Sequence, residues 1–309
     1  MEAIYILILA LVLDIIFGEL PTVIHPVGWM GKTIALLTKA GRVHSPIVQF
    51  FWGMIATITT IGLFAGAAYL VVYYTTSLNL VWRVVIGAAV LKPSFSLKGL
   101  TQTGRFMKGL LIRNNLEQTR FELRALVKRE SSQLDKGLMI SATIESIAEN
   151  TCDSIFAPLF IYLFLGIPGA IGYRVINTLD AMIGYHGEYE YLGKFAARLD
   201  TIVNFIPARI TAVIIVAAGW LWRLNARSAW YIMLRDHKKT ESLNAGWTMS
   251  AMAGALDVQL EKVGYYKLGD NNSALTTEKI DDSLKIIIAA TAIWVVIIII
   301  TEIIWYVMA

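Results

Sequence analysis

Polar positions are sparse along this chain, and the long gaps between them set its first elements. Residues 50–74 run for 25 positions without a charge, and Ile286–Ala309 is broken only by Glu302. Both exceed the roughly 20 residues that cross a bilayer as a helix. Residues 3–17 form a third apolar run with Asp14 inside it, and Phe205–Trp222 a fourth with Arg209 near its start. The run at 3–17 has no basic start and no small-residue cleavage site, which argues against a removable leader. Between the runs the period becomes that of amphipathic helices. Residues 94–128 predict two of them around Asn114-Asn115, with Leu100, Met107, Leu110 and Leu111 on the apolar side of the first. A third helix is predicted from about Asp135 to Cys152.

One apolar run is interrupted. Ser154–Tyr173 is uncharged for 20 residues but contains Pro158 and Pro168-Gly169. About nine residues lie between those breaks, or ~14 Å of helix against a hydrocarbon core of ~30 Å. The expectation is a re-entrant or protein-buried half-helix, which must be covered by protein or line a polar cavity. The chain therefore reads as all-α: a polytopic α-helical integral membrane protein with four to five spans, a broken or re-entrant helix, and amphipathic helices on the cytoplasmic side. No repeat or low-complexity linker divides it. Residues 1–309 read as a single membrane domain with a basic, mainly helical cytoplasmic insertion at 92–150.

Composition agrees: 56% of residues are hydrophobic and 16% charged, against about 25% charged in a soluble domain. The net charge of +4 is uneven, with ten Lys/Arg and four Asp/Glu between Lys92 and Lys136. Such an excess suits a cytoplasmic segment beside anionic lipid, or a surface for an anionic ligand. A solvated helical face would look the same. By the same rule 19–49 and 92–150 lie in the cytoplasm, with the N-terminus outside. No nucleic-acid-binding motif accompanies the charge. The lone Cys152 excludes an internal disulfide and a cysteine metal cluster. The four histidines include no HExxH pair.

Candidate chemistry lies where polar residues enter the apolar segments. In "ESIAENTCDSIFAPLF" (145–160), Ser141, Glu145, Glu149 and Asp153 recur every four residues and form one helical stripe. Like charges four apart repel, more so at low dielectric. A divalent ion carried by substrate phosphates would relieve that repulsion, and so would a raised carboxylate pKa serving a general base. A solvated acidic face has the same spacing. "YRVINTLDAMIGY" (173–185) holds Arg174, Asn177 and Asp180, and "AARLDTIVNFIPARIT" (196–211) adds Arg198, Asp200, Asn204 and Arg209. Structural Arg–Asp pairing is one reading, but ionisable groups at membrane segments mark functional sites by default. "LDIIFGELPTVIHPVGWMGK" (13–32) sets Asp14 in a helix that Gly18 and Pro21 end, followed by Glu19 and a His25 of the packing or capping kind. Its tail "PVGWMGKT" approaches a phosphate-binding loop but has Pro26 where that pattern needs Gly, so the loop is rejected. "NAGWTMSAMAGAL" (244–256) places Gly246, Ser250 and Gly254 at intervals of four, a small-residue face for close packing, behind Asn244 as N-cap or ligand contact.

These phrases, with "SFSLKGL", occur in the order and form of one family. The chain resembles the integral-membrane cobalamin-biosynthesis amide synthases, the adenosylcobinamide-phosphate synthase family, from residue 13 to 256. Thr201 and Thr248 depart from the residues usual there. The resemblance implies that adenosylcobyric acid is joined through an amide to (R)-1-amino-2-propanol O-2-phosphate or a related aminoalcohol, driven by ATP with Mg²⁺ and no tightly bound prosthetic group. The resemblance supports the positions, and residue chemistry then gives Glu145, Glu149 and Asp153 to Mg²⁺ or to deprotonating the amine. Arg174, Arg198, Arg209 and Lys98 then serve as phosphate partners, and Asn150, Asn177, Asn204 and Asn244 as neutral contacts. Asp180, Asp200, Asp14 and His25 complete the set. The implied partners are these small molecules, the lipid bilayer and other cobalamin-assembly membrane proteins, without nucleic acid. The implied place is the cell membrane, multi-pass, with the active site facing the cytoplasm. The rival class is a membrane transporter of a corrinoid or ion, since broken helices and intramembrane charges also build transport sites.

Overall fold

The computed structural model describes every residue except Leu20, Thr22, His44, 128–131, His186 and Ala309, and omits the side chains of Arg42 and Val43. Parts of the basic segment, of the first family phrase and of the last apolar run therefore lie outside the described residues. In chain order the helices are α1 (Glu2–Phe17), α2 (Pro26–Lys39), α3 (Pro46–Thr75), α4 (Leu80–Leu91), α5 (Leu97–Ile112), α6 (Leu116–Leu126) and α7 (Lys136–Thr151). They continue with α8 (Ala157–Ile183), α9 (Lys194–Val203), α10 (Phe205–Leu221), α11 (Ala226–Asp236), α12 (Ala245–Ala255) and α13 (Thr277–Met308). A two-stranded antiparallel ribbon, β1 (Leu260–Lys262) and β2 (Tyr266–Leu268), pairs Leu260 with Leu268.

Local sequence explains most boundaries. Asn79, Asn115 and Asp135 cap α4, α6 and α7 by accepting from the Trp82, Gln118 and Leu138 N–H groups. Pro26 and Pro46 open α2 and α3, where a missing N–H costs nothing. The two amphipathic helices expected around Asn114-Asn115 are α5 and α6, and the third is α7. Met107, Leu110 and Leu111 are buried as their spacing predicts.

Four helical stretches are long and apolar enough to cross a membrane: Pro46–Thr75, Leu80–Ile112, Lys136–Ile183 and Thr277–Met308. The bent pair of α9 and α10 makes a fifth. The four-to-five count holds, with different membership. Leu80–Ile112 is a span that the charge pattern concealed, because Arg83 and Lys92 interrupt it. At 16 residues, α1 is only ~24 Å long. The apolar window of α3 is only 22% buried, with Ile55, Ile58, Leu63 and Leu70 exposed. A surface so extensively apolar is stable against lipid and not against water.

Of the breaks expected at Pro158 and Pro168-Gly169, the first needs correction and the second is present as a kink. Pro158 ends nothing, since a π-helical turn at Cys152–Phe156 precedes it and the helix runs on, but it breaks at Gly166, two residues before Pro168. The one non-helical residue inside α8 is Gly166, at φ 64° and ψ −161°, a conformation that a side chain would strain. α8 is thus two helical segments joined at the Gly166 kink, and the first, 157–165, is a short segment of the kind expected ahead of Pro168-Gly169.

The chain forms two compact units. The first comprises Met1–Lys98, Ala157–Asn204 and Ile298–Ala309; the second comprises Gly99–Phe156 and Phe205–Ile297. In the first, the turn between α8 and α9 is threaded by glycine. A Cβ on Gly193 would sit 1.7 Å from the Ile183 carbonyl oxygen, and one on Gly53 of α3 would sit 1.8 Å from that of Leu192.

In the second unit α12 is the core: every residue from Ala245 to Ala255 except Trp247 is buried. The Gly246–Ser250–Gly254 face is a packing face, since a Cβ on Gly254 would meet the Ala229 Cα at 2.6 Å. The ribbon is tied to α11 by the buried Asp236, which accepts from both edges of Arg235 (2.7 and 2.8 Å) and from the Gly269 N–H (2.8 Å). Lys239 lies 2.7 Å from it. Burial pushes the Asp236 carboxyl up, but the bonds from Arg235, Lys239 and Gly269 outweigh it and hold the group at about 2, below its ordinary 3.8. A depressed pKa stabilises the fold above the unfolded value, and that contribution is lost as the pH falls through the folded one. Asp236→Asn is expected to lower stability by about 1.5–3 kcal/mol at neutral pH. Thermal unfolding in detergent at a series of pH values should also show less acid sensitivity between about 3.8 and 2 in the variant.

Candidate functional site

The sequence-selected residues fall into separate clusters. In the first unit, α1 ends in Gly18, and the chain turns back so that Asp14, fully buried, faces the start of α5. Its Oδ2 accepts from the Leu97 and Lys98 N–H groups at 3.1 and 2.9 Å, capping that helix from 83 residues away. Lys92 Nζ, also buried, lies 3.3 Å from Asp14 Oδ1 and 3.7 Å from Glu19 Oε2. His25 caps α2 by accepting the Val27 N–H at Nδ1 (3.1 Å) and meets Glu19 Oε2 through Nε2 at 2.5 Å. With Nδ1 an acceptor, a neutral imidazole carries its proton on Nε2 and donates it to Glu19. Burial pushes the Glu19 carboxyl up, but His25 and the Lys92 charge bring it down to about 2, so it stays ionised. Lys98 folds along Gly18 and donates to the Ile16 carbonyl at 2.8 Å. Asp14, His25 and Lys98 are thus brought together. Lys92 and Glu19 belong with them, although in the sequence Lys92 stands out only as one charge of a basic segment and Glu19 only as a residue that follows Gly18. The available signal was a lysine standing inside the apolar stretch 84–95.

The second cluster joins the end of α8 to α9. Arg174 donates to Asn177 Oδ1 (3.3 Å) one turn on. Tyr173 Oη donates to Asn204 Oδ1 (2.9 Å), and Asn204 Nδ2 donates to Asp200 Oδ2 (3.1 Å). Asp180 sits under the helix end, where a Cβ on Gly184 would lie 2.0 Å from its Oδ1. Arg198 lines a cleft together with Lys194, Glu190 and Tyr185. Tyr173 had no sequence signal, because an apolar stretch of helix hides one useful hydroxyl.

In the second unit the carboxylates of α7 separate. Glu145 is buried: it accepts from Ser141 Oγ and from Tyr266 Oη, both at 2.7 Å, and Ser141 Oγ in turn accepts the Glu261 N–H at 2.8 Å. Its oxygens thus bind the helix to the ribbon. Glu149 is exposed, and Asp153 is half-buried in the π turn. Asn150 Nδ2 donates to the Ser146 carbonyl (2.9 Å). Among the described residues no group of three or more His, Cys, Asp or Glu is placed to hold a metal ion. Sites with one or two carboxylates, completed by phosphate oxygens, remain within reach of this donor set.

Arg209 and Asn244, 35 residues apart, do meet. Arg209 donates to the Phe205 carbonyl and, at 3.4 Å, to Asn244 Oδ1. Its guanidinium lies 3.5 Å over the Phe205 ring and 5.0 Å from the Trp247 centroid. Asn244 holds the N-cap position of α12 without capping it; Ser242 Oγ accepts from the Asn244 and Ala245 N–H groups instead.

Four to five apolar helical spans, with charges gathered at helix ends and breaks, define a polytopic helical membrane protein with polar sites. The chain belongs to the CobD/CbiB family, whose model, described as "CobD/Cbib protein", matches residues 7–303. It is 44% identical over 297 residues to the cobalamin biosynthesis protein CobD of Dehalococcoides mccartyi, covering 96% of each chain. Proteins named probable cobalamin biosynthesis protein CobD are similar as well. That of Methanothermobacter thermautotrophicus is 39% identical over 93% of each chain, and that of Methanocaldococcus jannaschii 38% over 98%. No solved structure matches.

The Asp14–Lys92 pair gives a test of how the first cluster is held. Asp14→Asn or Lys92→Met alone strands a buried charge and is expected to cost about 3–5 kcal/mol. The double variant should cost clearly less than the sum, read as a double-mutant cycle on unfolding in detergent.

Proposed function

We propose that the protein acts as an enzyme of cobalamin biosynthesis: an ATP-dependent acid–amine ligase that joins adenosylcobyric acid to (R)-1-amino-2-propanol O-2-phosphate, or a related aminoalcohol phosphate, to give adenosylcobinamide phosphate. The observation that carries this reading is the family match from 7 to 303, which contains all six phrases of the resemblance. A carboxylate is a poor acyl donor, and ATP with Mg²⁺ would supply the phosphoryl or adenylyl group that turns one of its oxygens into part of a phosphate or AMP leaving group.

The chain's own residues divide the remaining work. Glu149 and Asp153, accessible where Glu145 is not, take the proton of the attacking amine or contribute one or two oxygens to the cation. Glu145 holds α7 in place through Ser141 and Tyr266. Arg174, Arg198, Arg209 and Lys98 offer the charged donors that phosphates need, the arginines in a planar fork. Asn150, Asn177, Asn204 and Asn244 add uncharged hydrogen bonds, while Asp180 and Asp200 set the α8–α9 region. Asp14 and His25 support Lys98 and Glu19. The basic excess of 92–136 favours a cytoplasmic working face, where ATP is available.

The test is product formation. Purified protein in nanodiscs, given adenosylcobyric acid, Mg²⁺-ATP and aminopropanol phosphate, should release the amide with ADP or AMP, resolved by chromatography and mass spectrometry. Glu149→Gln should lower turnover by about a hundredfold or more with unchanged membrane abundance. Folded protein that makes no amide with any aminoalcohol phosphate, yet alters corrinoid or ion uptake into vesicles, would overturn the ligase reading.

A further inference from the structure

The end of α10 and the outer face of α11 form an exposed surface rich in aromatic rings. The inner face of α11, Ala229, Ile232, Met233 and Asp236, is buried where the helix packs on α10 and α12. The opposite stripe, Arg227, Trp230, Tyr231 and Leu234, follows the same helical spacing and is exposed. Trp220 and Trp222, just before it, are 70% and 50% exposed. Apolar side chains flanked by cations are what a helix lying in a headgroup layer presents, and tryptophan and tyrosine concentrate at that level.

A second helix marks the same level. In α13, Asp281, Asp282 and Lys285 give way to an uncharged run from Ile286 to Thr301, so Lys285 stands where that span meets the headgroups. Its Nζ lies 6.0 Å from the Trp222 ring centroid, which puts the end of α10 at that depth too. From there α11 starts four residues on, at a corner fixed by Asn225, whose Nδ2 donates to Asp257 at 2.9 and 3.0 Å. With 11 residues, α11 is ~16 Å long and too short to cross. Arg227 near its start and Arg235 near its end are both exposed, and either would be costly in hydrocarbon. Both ends therefore stay with the headgroups, and the helix lies along the interface.

The charge of this corner selects the lipid. Residues 220–240 hold five Lys/Arg and one Asp/Glu, whereas Arg227–Lys285 as a whole is balanced at eight of each. Asp236 takes Arg235 and Lys239, while among the described residues Arg223 and Arg227 have no ion-pair partner. Arg223 moreover sits at φ 56°, where glycine would be unstrained, so a cation is kept at a conformational cost.

We propose that α11 is an interfacial anchor for anionic lipid, with Trp230, Tyr231 and Leu234 at the boundary of headgroups and acyl chains and Arg223 and Arg227 at the negatively charged headgroups.

The test uses full-length protein in phosphatidylcholine nanodiscs carrying brominated lipids, which quench tryptophan fluorescence at a known depth. The chain has nine tryptophans, so the Trp230 signal is the difference between wild type and Trp230→Phe. Bromines near the headgroup should quench that signal more than bromines near the chain end. A minor fraction of brominated phosphatidylglycerol should quench it more than the same fraction of brominated phosphatidylcholine, by an enrichment of roughly fivefold per arginine. Arg223→Gly combined with Arg227→Gln should remove this preference, and glycine suits the left-handed turn, so the fold is kept. Absence of quenching at either depth puts Trp230 in water or under another protein and overturns the anchor. Stronger quenching from the chain end overturns the interfacial position. Equal quenching by the two headgroups, or a preference that survives the double variant, overturns the anionic lipid.

Discussion

Where lipid replaces water, a polar group has to find its partner within the chain. Thr57, Thr60, Thr211 and Thr291 each return a hydroxyl to the carbonyl four residues back at 2.7 Å, which spares the helices any external partner. Asp14 cannot be satisfied so locally. Its carboxylate takes two N–H groups from the start of α5 and the Lys92 ammonium, and α1, α4 and α5 are placed by that requirement. Glu145 imposes the same discipline in the second unit, drawing Tyr266 of the ribbon onto α7.

Features written in a few neighbouring residues were legible. Asn114-Asn115 separates α5 from α6, Asp135 starts α7, and the small-residue stripe of α12 is a packing face, because caps and close contacts act over one turn. Proline was legible in one place and not the other: the break expected at Pro168 is the Gly166 kink, whereas at Pro158 a π turn comes first and the helix continues. The span at Leu80–Ile112 escaped because a buried lysine looks the same in sequence as a solvated one. Only the distant Asp14 reveals the difference.

The candidate site was legible as a set of residues and not as a set of contacts. Spacing alone grouped Arg174 with Asn177, and Asp200 with Asn204, both within one helical turn or so. It also grouped Glu145, Glu149 and Asp153, and no periodicity announces that Tyr266 claims the first. Arg209 and Asn244 were chosen separately, and their meeting depends on packing between α10 and α12, which no local pattern encodes.

The Asp14 cap also sets a timetable. The acid emerges early, yet the amides and ammonium that satisfy it lie roughly 80 residues later. At about 5–20 residues per second, a growing chain holds that carboxylate unanswered for several seconds. During that interval α1 is an apolar helix carrying an unpaired acid, poorly suited to rest alone in hydrocarbon. Its final placement must wait for α4 and the first turn of α5, so α1 is made ahead of the elements that complete it and cannot be finished before them.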